Sequence, residues 1–286
     1  MIMTKIIESI EMCEKNRERQ IKEVGRLSIL LGRAPRFVII NASDDAGNAR
    51  YVEGKNVEGT KAGLEMIIRK FEEDCTEKEI LSLIDECNSE KIPVIVQSPV
   101  YKHLDEKKLM NAIDYKVDAD CFSKEWLGRL ANNTNGTLGS ATPKGVMNIL
   151  EYYDVDVEGK MALVVGRSNH VGKPMGTMLV NKGATTIVAN SKTSNLDELV
   201  RQSDIIVSCV GKTDLIKAKD IKKDAVVIGV GFTYVGRKQI LDFSVEDIVA
   251  DGKASLVSNR INCTGKATID ALIDNVIELY KMNTEI

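Results

Sequence analysis

The chain has 286 residues, 43% of them hydrophobic and 28% charged, with a formal net charge of −3. That length and balance describe an ordinary globular protein with a substantial core and two domains or one large one, and exclude a disordered chain. A slightly acidic chain offers no basic field to nucleic acid, and no apolar run approaches membrane-spanning length, so neither is an expected partner.

The opening residues, MIMTKIIESIEMCEKN, are broken by charges and lack the apolar centre of a signal peptide, which predicts a cytoplasmic location. Residues 4–31 read as one long charged amphipathic helix, with Ile6, Ile10 and Cys13, and later Val24 and Leu27, on its apolar faces. A strand follows at 36–41, then a largely helical stretch over 47–71, where Tyr51 and Lys55 are four apart and share one face. A second strand, IPVIVQ, ends at Gln97, followed by Ser98 and Pro99, and the carboxyl end of such a strand is where ligands usually bind. A helix over 106–113 leads to Asp118, Ala119 and Asp120. Taken singly, Lys55 reads as a surface lysine, Tyr51 as half-buried packing, Gln97 as a strand end and Asp120 as a loop acid.

The pattern changes near residues 140–145. Val146, Ile149, Leu150 and Tyr153 follow helical spacing, and an apolar run, MALVV, then stops at Gly166. The loop that follows, GRSNHVGKP, carries Arg167, Ser168 and a second glycine, Gly172, and a helix opens at Pro174. Strand, glycine loop and helix together bring a phosphate to backbone N–H groups at a helix N-terminus. Further β-branched or apolar runs at 184–190, 204–211 and 224–231, with helices at 175–182 and 196–202, predict a parallel sheet covered on both faces. The first of these runs, the second strand of the βαβ unit, ends in Asn190, Ser191 and Lys192, without the acid that binds ribose hydroxyls in an NAD site. With Arg167 in the first loop, that chemistry suits the 2′-phosphate of NADP. A last helix is expected over 268–282. Six cysteines without C-x-x-C spacing and two histidines predict reduced thiols and no metal site.

Several ordered motifs resemble the methylenetetrahydrofolate dehydrogenase/cyclohydrolase family. The loop GRSNHVGKP is similar to its G-R-S-x-x-V-G-x-P, TPKGVMNILEYYDVDVEGK to its T-P-K-G helix and l-x-G-K lead, and RYVEGK to its Y-V-x-x-K. Val96-Gln97-Ser98-Pro99 resembles V-Q-x-P, and Asp118 to Phe122 resembles D-V-D-G-F. The resemblance implies two α/β domains flanking a cleft, the second a doubly wound Rossmann-type fold. It places the folate-binding domain at 1–141 plus 268–286 and the NADP-binding domain at 142–267. It implies oxidation of 5,10-methylenetetrahydrofolate with NADP, and hydrolysis of the methenyl product to 10-formyltetrahydrofolate. Lys55 becomes the general acid/base, with Tyr51 and Gln97 positioning it and Asp120 accepting from the pterin edge. Val96, Ser98, Pro99, Gly265 and Thr268 join the substrate contacts, and Gly166, Arg167, Ser168, Gly172, Pro174, Ser191 and Phe232 the cofactor contacts. A cytoplasmic homodimer serving one-carbon metabolism and purine biosynthesis completes the expectation.

The sequence departs from that pattern at Asn48 (usually Ser), Tyr101 (Pro), Cys121 (Gly) and Asn190 (often His). The widest departure is SNRINCTGKAT at 258–268, where the family has a Pro- and Gly-rich loop and only Gly265 and Thr268 stay in register. This leaves open a monofunctional relative or a non-catalytic NADP(H)- or folate-binding protein. A shikimate-type two-domain dehydrogenase is a further alternative, though such enzymes do not use the Y-V-x-x-K and V-Q-x-P pair.

Overall fold

A computed structural model of the chain describes residues 3–236 and 238–284. In chain order the elements begin β1 (Lys5–Ile7), α1 (Ile10–Leu31), β2 (Arg36–Asn41), α2 (Ala46–Ala62), β3 (Glu65–Lys70), α3 (Glu77–Glu90) and β4 (Val94–Val96). Then come α4 (Glu106–Asn111), α5 (Lys124–Ala131), α6 (Ala141–Tyr152), β5 (Met161–Val165), α7 (Gly172–Asn181), β6 (Thr185–Ala189) and α8 (Leu196–Gln202). The chain continues through β7 (Ile205–Ser208), β8 (Val226–Gly229), β9 (Phe232–Val235), β10 (Lys238–Leu241), α9 (Val245–Asp251), β11 (Leu256–Ser258) and α10 (Thr264–Asn283). Two compact units result. One comprises the chain up to Cys13 with Thr142–Thr268, and the other Glu14–Ala141 with the chain from Ile269.

The unit holding Glu14–Ala141 is built on a three-stranded parallel sheet in the order β3-β2-β4. Strand side chains alternate between faces. Phe37, Ile39 and Ile95 therefore pack with Val24 and Leu27 of α1, Val52 of α2 and Leu272, Val276 and Ile277 of α10. Val38, Ile40, Val94 and Val96 pack on the opposite side with Ile80 and Ile84 of α3 and Leu109 of α4. By the same alternation Gln97, two residues after Ile95, falls on the face that α2 covers. Its N–H continues the ladder to the carbonyl of Ile40 at 2.9 Å.

The other unit contains a six-stranded, all-parallel sheet in the order β1-β11-β8-β7-β5-β6, with β9 and β10 forming a separate antiparallel hairpin. Counted from β5 and leaving out β1, its strands run 2-1-3-4-5, a doubly wound order whose switch point lies between β5 and β7. Ala162, Val164, Ile205, Val207, Val226 and Ile228 join one core, while Leu163, Val165, Ile206 and Val227 join the other. Both faces are covered, as the continuous apolar runs require.

Three expectations need correction. The helix expected over 4–31 starts only at Ile10, because residues 5–7 pair with β11 as Lys5↔Leu256, Ile6↔Val257 and Ile7↔Ser258. The same pairing draws the segment up to Cys13 into the unit of the glycine loop, whereas the resemblance assigned residues 1–141 to the other. The helix expected over 47–71 stops at Gly63, whose φ of +93° lets its N–H turn back to the carbonyls of Gly59 and Thr60. The remainder, EMIIRK, is a half-exposed strand beside β2.

Tyr280 of α10 shows how a helix completes a short sheet. Strand β4 pairs with β2 only from Val38 onward. The phenol takes the missing partner's place, donating to the Arg36 carbonyl and accepting from the Arg36 N–H, both at 2.9 Å. Tyr280→Phe removes both bonds at a buried position and is expected to cost about 1–3 kcal/mol. Urea denaturation of the two proteins should show that loss without a change in m-value.

Candidate active site and glycine loop

Helix α2 starts at Asp45, whose side chain accepts the N–H of Asn48 at 2.8 Å. From there one stripe faces inward: Asn48, Val52, Lys55, Gly59 and Ala62. Spacing of four, three, four and three is the helical period, so Lys55 occupies a core position. It is 5% exposed, and its ammonium donates to Oε1 of Gln97 at 2.7 Å. The ring centroid of Tyr51, one turn earlier, lies 5.2 Å from the same nitrogen. Burial lowers the pKa of Lys55 from its ordinary 10.5, and the charge of Asp120 opposes that shift without reversing it. The unfolded chain therefore holds this proton to higher pH than the folded one. The cost of burying Lys55 is greatest where it is protonated and shrinks as pH rises towards 10.5.

Gln97 is oriented by the loop that follows. Its amide donates to the Ser98 carbonyl at 3.1 Å, and the Ser98–Pro99 bond is cis. The Ser98 hydroxyl donates to Glu106 at 2.9 Å, and Asn48 donates to the Pro99 carbonyl at 3.2 Å. Ser98 and Pro99 are exposed, whereas Val96 is buried and lines a small cavity with Ile95, Met110, Ile113, Asp118, Asp120 and Phe122. Asp120 sits in a turn that α10 secures, since Asn275 donates to the carbonyls of Ala119 and Gly139, each at 2.9 Å. The structure thus gathers Tyr51, Lys55, Gln97 and Asp120 in one unit. Asn275 is not among the expected site residues; its one sequence signal is a polar side chain within the apolar stripe of the last helix.

Gly265 and Thr268 belong to the other unit. Gly265 is exposed in the first turn of α10, with open space where a side chain would stand. Thr268 is buried, and its hydroxyl donates to the Thr264 carbonyl at 2.8 Å and lies 3.3 Å from that of Thr142. Before them, Asn262 holds a left-handed φ of +63°, so one turn of the altered segment survives without glycine. Ser258, buried, accepts the Gly229 N–H at 2.8 Å and ties this segment to β8.

The glycine loop leaves β5 at the switch point. Gly166 has a φ of +126°, and a Cβ there would stand 2.6 Å from the sulfur of Cys209. A Cβ on Gly172 would run into the carbonyl oxygen of Gly166, so the loop closes tightly on the start of α7. The Ser168 hydroxyl accepts the N–H groups of Val171 and Gly172 at 3.1 and 3.3 Å. A third glycine, absent from the expected site, is Gly176, where a Cβ would lie 2.7 Å from Val188 of β6. It lets α7 pack closely on the sheet, which a spacing rule of G-x-G-x-x-G does not reveal. Pro174 is buried in the first turn of α7. These residues fit a dinucleotide: backbone N–H groups at a helix start, with glycine where a side chain would block the pyrophosphate.

At the end of β6 the Asn190 side chain accepts the Lys192 N–H at 3.0 Å, and the Thr193 hydroxyl accepts the Asn190 N–H at 2.9 Å. Ser191, Lys192 and Arg167 are exposed, and no acid stands at this strand end. Phe232, 43% exposed, begins the β9–β10 hairpin and meets Tyr234 edge to face. Asp242, overlooked in the sequence, is fully buried. It accepts from the Ser208 hydroxyl at 2.5 Å and from the N–H groups of Val210 and Lys212 at 3.0 and 2.7 Å. It therefore fixes the chain leaving β7 on the far side of the switch point.

Two family sequence models match the chain. The catalytic domain of tetrahydrofolate dehydrogenase/cyclohydrolase matches residues 7–120, and the NAD(P)-binding domain of the same enzyme matches residues 140–284. The bifunctional protein FolD of Bdellovibrio bacteriovorus is 33% identical over 97% of this chain and 96% of its own. Among solved structures, the bifunctional FolD dehydrogenase/cyclohydrolase of Campylobacter jejuni superposes with a TM-score of 0.93 at 28% identity, covering 98% of this chain and 99% of that one. The Trypanosoma brucei enzyme, complexed with NADP and an inhibitor, also gives 0.93, at 26% identity and complete coverage of both chains, 100% each.

Gly172→Ala forces either Gly166 or the start of α7 to move. A loss of roughly 1–3 kcal/mol is expected from that overpacking, seen as a Tm lower by several degrees in calorimetry. An unchanged Tm would show that the loop yields freely.

Proposed function

The chain belongs to the tetrahydrofolate dehydrogenase/cyclohydrolase family, and from that premise we propose how its own residues carry the chemistry. It oxidises 5,10-methylenetetrahydrofolate to the methenyl cation with NADP and hydrolyses that cation to 10-formyltetrahydrofolate. The observation that carries the residue assignment is the buried ammonium of Lys55 held 2.7 Å from Gln97.

The oxidation requires no strong base, because the folate nitrogens supply electron density as the hydride leaves the bridging carbon. NADP, when bound, accepts that hydride. The protein's part is alignment of the two reactants. We assign the Gly166–Gly172 loop and the first turn of α7, with Ser168 and Pro174, to the pyrophosphate. Arg167 and Ser191 go to the 2′-phosphate, and Phe232 to the rim of the cofactor site. The absence of an acid after β6 supports NADP over NAD.

Hydrolysis does need proton transfer. Water adds to the methenyl carbon and gives up one proton to solvent; its oxygen then gives up the second as the bond from that carbon to N5 breaks, and N5 takes up a proton, leaving the formyl group on N10. Lys55 performs both transfers, since burial lowers its pKa and makes the neutral amine easier to reach. Gln97 aims its nitrogen, and the ring of Tyr51 lies beside it. The carboxylate of Asp120 accepts from the amino and N–H groups of the pterin edge, which present two donors side by side. Val96, Ser98 and Pro99 shape the same wall, and Gly265 and Thr268 complete the substrate contacts in this reading.

Family membership sets aside a shikimate-type dehydrogenase. We extend the reading to a cytoplasmic homodimer in one-carbon metabolism, supplying formyl groups for purine biosynthesis, on the strength of the family resemblance. Among the described residues no helix is long and apolar enough to cross a membrane, and no group of three or more His, Cys, Asp or Glu side chains could hold a metal.

Lys55→Met is expected to lower cyclohydrolase turnover by roughly 10²-fold or more, the usual contribution of a general acid/base, while NADP reduction continues. A two-wavelength assay separates reduced cofactor from methenyl-folate. Methenyl should accumulate in the variant and hydrolyse only at the uncatalysed rate. Near-normal cyclohydrolase turnover would remove Lys55 from the mechanism, and the absence of any folate-dependent rate in the unmodified protein would favour a binding protein. In the unmodified enzyme hydrolysis should quicken with pH up to the lowered pKa of Lys55, because only the neutral amine takes a proton from water. Lys55→Met should lose that rise.

A further inference from the structure

Asp118 has no role in the chemistry above, yet it is placed to control a residue that does. It is 3% exposed and pairs as a bridge with Val94 of β4. Its Oδ2 accepts the N–H of Ser123 at 2.6 Å, and its carbonyl accepts the N–H of Cys121 at 3.3 Å. Cys121, between them, holds a left-handed φ of +57°. One carboxyl group therefore closes the turn that carries Asp120. Both acids line the same small cavity, whose other walls are Ile95 and Val96 from β4, Met110 and Ile113 from α4 and the residues after it, and Phe122. Among the described residues Asp120 is thus the only other titratable group lining it. The remaining polar neighbours are the N–H and hydroxyl of Ser123 and the N–H of Cys121.

An anion in such a place is costly, and a second one beside Asp120 more so. Burial pushes Asp118 up to about 7, with the charge of Asp120 adding to the effect and the Ser123 bonds opposing it.

We propose that Asp118 is a positioning residue for the folate: its carboxyl, bonded to the Ser123 N–H, keeps the turn from Asp118 to Ser123 closed, and so holds the carboxylate of Asp120 where the pterin edge meets it. This rests on Asp120 binding the pterin, as proposed above. The ionised carboxylate costs more in the dry closed turn than in an open, wet one, so ionisation shifts the balance towards the open turn. Substrate that binds the closed turn alone then loses apparent affinity in proportion to the closed fraction. The sign follows: the raised pKa favours the closed turn fully below the ordinary carboxyl value of 3.8, that advantage is lost as pH rises towards 7, and above 7 it changes no further.

The test is the KM for methylenetetrahydrofolate in the NADP-linked assay from pH 5 to pH 8.5, for the unmodified enzyme, Asp118→Asn, Asp118→Ala and Asp120→Ala. The unmodified KM should rise as pH climbs towards 7, by up to about tenfold per pH unit, and level off above 7, with a much smaller change in kcat. Asp118→Asn keeps an acceptor for Ser123 and cannot ionise, so it should hold the low-pH KM throughout. Asp118→Ala should raise that KM at every pH and leave the KM for NADP alone. A flat unmodified profile, or the unmodified slope persisting in Asp118→Asn, overturns the proposal. If Asp120→Ala raises KM while Asp118→Asn still slopes, only the positioning role fails. If Asp120→Ala leaves KM unchanged, the pterin assignment fails and this proposal with it.

Discussion

An ammonium group withdrawn from water is the constraint around which one unit of this chain is arranged. Lys55 stands on a helix face otherwise given to Val52, Gly59 and Ala62, so the fold must supply what solvent does not. It does so with one short bond to Gln97, an aromatic ring and a nearby carboxylate. Each of these depends on something more distant. Gln97 faces α2 because β4 alternates faces through Ile95, and Asp120 stays in place because Asn275 reaches across from α10 to the neighbouring carbonyls. That nitrogen is thereby tuned by packing as much as by its immediate partners.

The other unit relies on the removal of side chains. Gly166, Gly172 and Gly176 each sit where a Cβ would collide with the sulfur of Cys209, the backbone of the loop or the β6 side chain Val188. Asp242 supplies the complementary device, taking up two backbone N–H groups and a hydroxyl just beyond β7. Between them, the chain ends on either side of the switch point are fixed before any ligand arrives, which is the condition for binding without reorganisation.

What could be read from the sequence followed from local repetition. The continuous apolar runs of β5, β7 and β8 and the helix Leu196–Gln202 stood out because their periods repeat within a few residues. The set of Tyr51, Lys55, Gln97 and Asp120 was legible as ordered motifs, but the burial that makes Lys55 unusual was not, since stripe and cover come from different parts of the chain. Strands β1 and β3 were missed because one has three residues and the other is half exposed, leaving no period to detect. Asp118 and Asp242 look like any other acids until their neighbours are known.

Strand β1 also gives the sheet a direction in time. Its partner, β11, lies some two hundred and fifty residues downstream, and the Ser9 hydroxyl donates to the carbonyl of Cys263 at 2.7 Å, across 254 positions. A ribosome makes chain at about 5–20 residues per second, so residues 5–7 leave it many seconds before the strand they pair with exists. The sheet closes with its earliest piece placed last, a contact whose loop entropy falls due only when nearly all of the protein has been made. For that interval Ile7, fully buried in the finished fold, has no native partner, and the nascent chain must tolerate it exposed.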